Sequence, residues 1–221
     1  MFNPKTLRVF LSHSSLDVEF VEPIKNALVN IGFEVFVAHE DIEPASDFPE
    51  EIISNLNSSD IFVAVLSKNF KESAFADQET GIAVARDIFI VPIQIDKGVP
   101  PYGFIWEKQS LRCFKKELLY SKVESKIIDL LKKRKEFSLK SFLITSLANS
   151  KSWRTANSRA KLLKDLFKDF SKDEIRYLYE SARTNSELQG WDSGPILIAL
   201  FKKHNECLTE KELKEAISAL S

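Results

Sequence analysis

Glu79 and Phe75 are the two residues whose types and spacing point most directly to chemistry. They stand four apart in residues 73–86, a stretch whose pattern predicts a helix, so they would share one helix face. A carboxylate there can stabilise positive charge that develops in a bound ligand. From the sequence alone, two plainer alternatives stay open: Glu79 as a solvated helix residue and Phe75 as a core residue.

A second group of polar residues follows the first apolar run of the chain. That run, at 7–11, predicts a strand, and Ser12-His13-Ser14 would form the loop after it. Backbone N–H groups that precede a helix can hold a phosphate. Ser14 and Asp17 also fit a capping box, so simple helix capping is the favoured alternative for Ser14. No carboxylate or Cys stands beside His13 in the sequence to make it a catalyst.

The elements that would position these residues alternate between strands and helices. Apolar runs at 61–66 and 88–95 are nearly continuous, which is typical of parallel strands covered on both faces. Pro92 places the later of these strands near a sheet edge or at a bulge. Together with strands at 33–37 and 111–114, the order predicts a doubly wound α/β sheet of flavodoxin-like type. Ligands of such sheets bind beyond the carboxyl ends of the strands.

The pattern changes after the basic stretch at 132–135, beyond which no strand is predicted. Two capping boxes start helices, one at Ser171 with Glu174 and one at Thr209 with Glu212. We therefore expect a first domain at 1–135 and a small all-α C-terminal domain at 136–221.

Charge is unevenly distributed although the net charge is only −1. Residues 1–110 carry a net charge of −9, residues 111–168 carry +11, and residues 169–221 carry −3. The basic segment contains no aromatic-interleaved nucleic-acid motif, so a solvated helix face is the favoured interpretation. Two distant cysteines, no signal-like N-terminal run and no stretch of about 20 apolar residues favour a cytoplasmic protein without a membrane span. No glycine-rich phosphate loop and no metal-ligand spacing is present, so neither a cofactor nor a metal is predicted.

Several separated segments of the first domain resemble the bacterial TIR family in order and spacing. They are the first strand and loop Arg8–Ser14 with Asp17, the second strand Gly32–Phe36 with Asp41-Ile42, the third strand Ser58–Ser67, the segment Ser73–Glu79, and Val91-Pro92-Ile93 with Gly103-Phe104. Ser73–Glu79 matches the family pattern S-x-W-x-x-x-E, with Phe75 in place of the usual Trp and Ala76 in place of the usual Cys.

The resemblance implies an enzyme that consumes NAD⁺, because many TIR domains are NAD⁺ glycohydrolases or cyclases. It makes Glu79 the catalytic carboxylate. Substrate contacts would come from a wider set of residues: Phe10, Ser12, His13, Ser14, Asp41, Ser73 and Phe75. NAD⁺ would be the substrate, nicotinamide would be released, and the product would be ADP-ribose or a cyclised form of it. The implied setting is bacterial antiphage signalling, with a diffusible nucleotide acting on a downstream effector.

The resemblance also implies self-association. The family's BB loop corresponds to residues 39–48, and in the family it mediates contacts between TIR domains. Here the loop is acidic and could face the basic segment at 111–168 of the same or another chain, or it could be an ordinary solvated loop. Two alternatives to an enzyme remain: an adaptor that acts only by TIR–TIR binding, and a secreted factor that acts on host TIR signalling.

Overall fold

A five-stranded parallel sheet forms the centre of the N-terminal part of the chain in the computed structural model, which describes residues 2–37, 48–115 and 120–220. The strand order is β2-β1-β3-β4-β5, and every neighbouring pair is parallel. The strands are β1 (Arg8–Ser12), β2 (Glu34–Val37), β3 (Ile61–Leu66), β4 (Phe89–Gln94) and β5 (Leu111–Arg112). This order confirms the predicted flavodoxin-like, doubly wound class.

The middle of the sheet matches the continuous apolar runs of the sequence. All six residues of β3 are buried, because β1 and β4 flank it and helices cover the sheet. β5 is only two residues long, and it pairs with β4 at Ile93 and Gln94, just after Pro92. At Pro92, β4 therefore pairs with β3 on one side but has no partner in β5 on the other. Such an edge position suits proline, which has no backbone N–H to donate.

Helices make most of the connections between these strands, and one more helix follows β5. They are α1 (Val18–Ile31), which follows a short 3₁₀ turn at Ser15–Asp17, then α2 (Phe48–Ser58), α3 (Lys68–Lys71), α4 (Ala74–Ala85) and α5 (Tyr120–Lys132). The chain leaves β1 toward β2 on one side and continues through β3, β4 and β5 on the other. The order therefore reverses between β1 and β3, and the crevice beyond their carboxyl ends is the expected ligand position in this fold.

The C-terminal part of the chain is helical, as the sequence predicts. Its helices are α6 (Leu139–Ala148), α7 (Trp153–Leu166), α8 (Lys172–Thr184), α9 (Ser193–Lys203) and α10 (Glu210–Leu220). Both predicted capping boxes are confirmed. Ser171 and Glu174 exchange side-chain and backbone bonds at the start of α8, and Thr209 and Glu212 do the same before α10.

Contacts divide the described residues into two compact units. The first combines the described residues of 1–6, 30–32 and 131–221, and the second combines those of 7–29 and 33–130. Within the helical unit, the buried Arg159 side chain donates to the backbone oxygens of Asn30 (3.1 Å) and Ser146 (2.6 Å). Burial lowers the pKa of Arg159 to about 10. These bonds give the buried guanidinium of Arg159 hydrogen-bond acceptors within the helical unit.

Gly32 directly follows the last residue of α1, and its position has no room for a side chain. Its φ is +123°, and an added Cβ would lie 2.3 Å from the Ser146 Cβ. Gly32→Ala is therefore expected to lower the free energy of unfolding by about 2 to 3 kcal/mol, from backbone strain together with overpacking. Urea unfolding at pH 7 measures this loss. Gly98→Ala is the control for φ strain alone, because its φ is +81° and its Cβ would meet open space.

A search of the described residues for a helix long and apolar enough to span a bilayer finds none.

Candidate active site

Glu79 is buried although it is an acidic residue on a surface helix. Ser73 starts α4 as its N-cap, with the side chain accepting from the Ala76 N–H at 3.3 Å. One face of this helix packs against the sheet, and Glu79 lies on that face with only 2% of its surface exposed. The predicted alternative of a solvated glutamate therefore does not hold for this carboxylate.

Ser12 holds one oxygen of that carboxylate. Its hydroxyl donates to Glu79 Oε2 at 2.5 Å, and Ser12 itself is fully buried as the last residue of β1. The other oxygen, Oε1, is buried and has no hydrogen-bond partner among the described residues. A buried polar atom without a partner is rare and unfavourable, and such atoms often mark functional positions. The arrangement orients the carboxylate and leaves its other oxygen without a donor among the described residues.

Burial raises the pKa of Glu79 from 4.5 to about 7, and the hydrogen bond from Ser12 opposes this rise. Desolvation disfavours the charged form of a carboxyl group, whereas a donor to the carboxylate favours it. The carboxyl group therefore gains or loses its proton near neutral pH, and a cationic ligand beside it would favour the ionised form. A strongly perturbed carboxyl group in this position is typical of functional sites.

The structure describes seven of the eight predicted site residues, and they have different environments. Ser12 is bonded to Glu79, and His13 is buried directly after it, with 1% exposed surface. The Ser14 side chain accepts from the Leu16 N–H at 3.4 Å, as the capping alternative for this residue implies. Ser73 likewise caps its helix. Asp41 lies outside the described residues.

The two predicted aromatic contacts differ most. Phe10 is fully buried in the core, with ring centroids 5.3 Å from Phe36 and 5.7 Å from Phe62. Phe75 is 51% exposed at the start of α4, one turn before Glu79. The core role of Phe10 is thus observed, whereas ligand contact by either ring stays a prediction.

Sequence reasoning missed a second buried carboxylate at the same edge of the sheet. Asp17 Oδ2 accepts from the Ser67 hydroxyl at 2.5 Å, and its Oδ1 accepts from Asn69 and Lys115, each at 3.1 Å. Lys115 also pairs with Asp96 at 3.3 Å. This Asp17 network ties the loops after β1, β3, β4 and β5 together. The prediction that Asp17 completes a capping box with Ser14 is wrong, because its carboxylate points to these partners.

Desolvation acts to lower the pKa of Lys115, but hydrogen bonds and charge from Asp17 and Asp96 outweigh it, and the net direction is upward. Lys115 thus stays an ammonium ion at neutral pH.

The sequence does carry one signal against a capping role for Asp17, which is the short length of its side chain. A capping box uses Glu or Gln, whose longer side chains reach back to the backbone.

The loop after β4 is fastened to α4 by a residue that the sequence did not single out. Tyr102 donates its hydroxyl to Asp77 Oδ1 at 2.8 Å, and the turn Gly103–Ile105 follows directly. Burial, together with Asp77, raises the pKa of Tyr102. Phe104 and Trp106 on this loop are exposed. The loop therefore exposes two apolar rings close in sequence to Tyr102, which is bonded to the helix that carries Glu79.

The parallel sheet and its strand order define a small α/β domain of flavodoxin-like architecture, with a buried carboxylate at the switch point, one of whose oxygens has no donor among the described residues. A family model described as TIR domain matches residues 9–125, which is more than half of the chain. The chain belongs to the TIR domain family.

Two solved structures resemble it at low identity. The TIR domain of the Toll-related receptor TRR-2 from Hydra magnipapillata is 22% identical, covers 56% of this chain and 97% of its own, and has a TM-score of 0.47. The TIR domains of the activated Roq1 resistosome, which directly recognises the pathogen effector XopQ, are 21% identical, cover 73% of this chain and 100% of their own, and have a TM-score of 0.38. No curated protein matches the chain.

Proposed function

We propose that this TIR-family chain is an NAD⁺-consuming enzyme that cleaves the bond between nicotinamide and ribose. The observation that carries the proposal is the Glu79 carboxylate, which is buried at the switch point, held through one oxygen by Ser12, and unsatisfied at the other. The chemistry would belong to a domain at 1–135, and the helical domain at 136–221 would take no part in it.

The reaction suits a lone carboxylate. Nicotinamide leaves as a neutral molecule, so the departing group needs little help from an acid. The ribosyl centre becomes positively charged as the bond breaks, and a nearby carboxylate stabilises that charge, as in glycoside hydrolysis. In a site that excludes water the stabilisation is larger than in solution. Glu79 Oε1 would face the ribose, while the bond from Ser12 keeps the carboxylate in position.

The nucleophile that follows decides the product. Water attacking the anomeric carbon gives ADP-ribose, and another group of the same nucleotide gives a cyclised ADP-ribose. The other proposed substrate contacts are Phe10, His13, Ser14, Asp41, Ser73 and Phe75. Self-association through the TIR domain and its BB loop at 39–48 would complete the site. The diffusible product would act on a downstream effector, which fits a role in antiphage signalling within the cytoplasm.

The second candidate function is an adaptor that binds other TIR domains and cleaves nothing. The exposed rings of Phe75, Phe104 and Trp106 would suit such contacts. In this account the burial of Glu79 is only structural. Nicotinamide release separates the two candidates, because an adaptor releases none under any condition of assembly.

The pH dependence of the reaction follows from the raised pKa. The ionised carboxylate is the active form, so kcat/KM is expected to rise with pH through about 7 and level off above it. Well below pH 7, activity should fall about tenfold for each pH unit. Initial rates of nicotinamide release at low NAD⁺ between pH 5.5 and 9 measure this profile.

Ser12→Ala refines this test. Loss of the donated hydrogen bond removes the effect that lowers the Glu79 pKa, so the midpoint is expected to move upward by about one pH unit. Ser14→Ala is the control for the midpoint alone, whatever its effect on the rate, because the Ser14 side chain accepts from the Leu16 N–H and does not donate to Glu79. An unshifted midpoint in Ser12→Ala would show that another group sets the profile.

The proposal itself is tested by incubating the full chain with NAD⁺ at high protein concentration and analysing the products by mass spectrometry. Wild type is expected to release nicotinamide and Glu79→Gln to release at least about 100-fold less, the scale of losing one electrostatic contact to a transition state. Release that is equal in both proteins would remove Glu79 from the mechanism. TIR-dependent binding without release by either protein, assembled or not, would support the adaptor.

A further inference from the structure

A hollow on the helical unit lies between α7 and α9 and has a volume of about 330 Å³. Ligand pockets start at about this size and are mostly apolar with a few polar groups. The hollow consists entirely of residues of the helical unit, so it is separate from the Glu79 site in its composition. No step of the proposed NAD⁺ chemistry uses it.

The surface inside the hollow is apolar. Its floor is formed by three side chains that are almost fully buried, Leu147, Leu163 and Leu197. Its walls include Phe167, Phe170 and Leu200, which are partly exposed. Apolar surface that remains open in this way gains free energy when an apolar ligand covers it.

The charged side chains that line the hollow are all lysines. Lys164, Lys168 and Lys203 line it, and no acidic residue does. Lys203 donates to the Lys168 backbone oxygen at 2.6 Å, which links the last residue of α9 to the segment after α7. Within residues 120–220, Lys164 and Lys168 make no ion pair at all. Three ammonium groups beside an apolar floor favour an anion attached to an apolar body.

We propose that the α7–α9 hollow binds a slender apolar chain that ends in a carboxylate, as a free fatty acid does. The volume decides between this ligand and a docking helix. A helix with its side chains is about 10 Å across and would need a longer groove, whereas a single acyl chain fits the space. The acyl chain lies over the three leucines, and its carboxylate meets the lysine ammonium groups at the rim. The site makes the helical unit a ligand-binding module.

Titration calorimetry of the full chain with laurate, kept below micelle-forming concentrations, tests this site. We expect saturable binding of one laurate per chain. Dodecanol has the same chain without the charge, and we expect its affinity to be lower than that of laurate by a factor of about ten or more. Dodecyltrimethylammonium, with the opposite charge, is expected not to bind. Phosphatidylglycerol vesicles test whether the lysines instead bind an anionic membrane surface. We expect the protein to bind these vesicles no better than it binds phosphatidylcholine vesicles.

Two variants locate the binding. Lys164→Gln with Lys168→Gln is expected to weaken laurate binding about tenfold, whereas Lys211→Gln with Lys214→Gln makes the same charge change on α10 and should leave it unchanged. Ala199→Phe adds a ring at an exposed lining position of α9, so it should block the hollow without disturbing buried residues. Circular dichroism checks that each variant is folded.

Equal binding of laurate and dodecanol would overturn the proposal, because the lysines would then contribute nothing. So would unchanged binding in folded Ala199→Phe, or strong binding to anionic vesicles without binding of monomeric laurate. The result is independent of nicotinamide release, so either proposal can fail alone.

Discussion

Between pH 4.5 and 8, the wild-type protein is expected to lose about 3 kcal/mol of unfolding free energy that the Glu79→Gln variant retains. The Glu79 pKa is about 7 in the folded protein against 4.5 for an ordinary glutamate, and each pH unit between these values is worth 1.36 kcal/mol. A buried carboxylate binds its proton more tightly in the folded state than in the unfolded state. Its contribution to stability is therefore complete below pH 4.5 and is lost as the pH rises through about 7.

Urea unfolding of both proteins across this range measures the difference. Any constant effect of the Gln side chain cancels, because only the change with pH is compared. Glu72→Gln is the matched control: it removes the same charge from an exposed position nearby, and its pH dependence should follow the wild type. Parallel curves for wild type and Glu79→Gln would mean that the carboxylate is not desolvated in solution.

Asp17→Ala is expected to lower the free energy of unfolding by about 3 kcal/mol. The substitution removes the acceptor for Ser67, Asn69 and Lys115 together and leaves one partly buried ammonium with Asp96 alone. Breaking a buried ion pair costs about 3 to 5 kcal/mol, and the partial exposure of Lys115 places the value at the lower end. A residue that only capped a helix would cost about 1 kcal/mol. The magnitude therefore distinguishes the network from a cap.

Asp17→Asn supplies the control for this measurement. This substitution keeps an oxygen acceptor and the side-chain volume but removes the charge. Its free energy of unfolding should therefore lie between those of the wild type and Asp17→Ala. Urea unfolding at pH 7 compares all three proteins. A loss of 1 kcal/mol or less for Asp17→Ala would show that the network adds nothing beyond capping.

The fold could be predicted because its signals are local. The apolar run at 61–66 coincides with the bounds of β3, and alternation of strands with helices was enough to predict the parallel sheet. Gly32 and the capping boxes at Ser171 and Thr209 act over three or four residues, so the sequence shows them directly. The resemblance to TIR domains then selected Glu79 as the carboxylate to examine.

The site was harder to predict than the fold because its contacts join residues that are distant in sequence. Ser12 and Glu79 are 67 residues apart, and their hydrogen bond exists only because β1 and α4 meet at the switch point. The partners of Asp17 lie 50 to 98 residues away. A short local motif offered a simpler role for Asp17. The short Asp side chain is a signal against that role, but nothing in the sequence identifies the distant partners. Such pairings depend on packing rather than on spacing.

The aromatic residues show the same limit. Phe75 and Glu79 were expected to share a helix face, yet one is half exposed and the other is buried. A spacing of four fixes two side chains on neighbouring parts of the surface, but the depth of each depends on what the helix packs against. Phe75 lies in the first turn of α4, at the edge of the packed face, and Glu79 lies one turn further along it.

Free nicotinamide, measured by mass spectrometry after incubation with NAD⁺ at pH 8, tests the central claim most directly. The account predicts release by the wild type and by Glu72→Gln, and at least about 100-fold less by Glu79→Gln that is equally well folded. Undiminished release by Glu79→Gln would contradict it, as would the absence of release by the assembled wild-type protein.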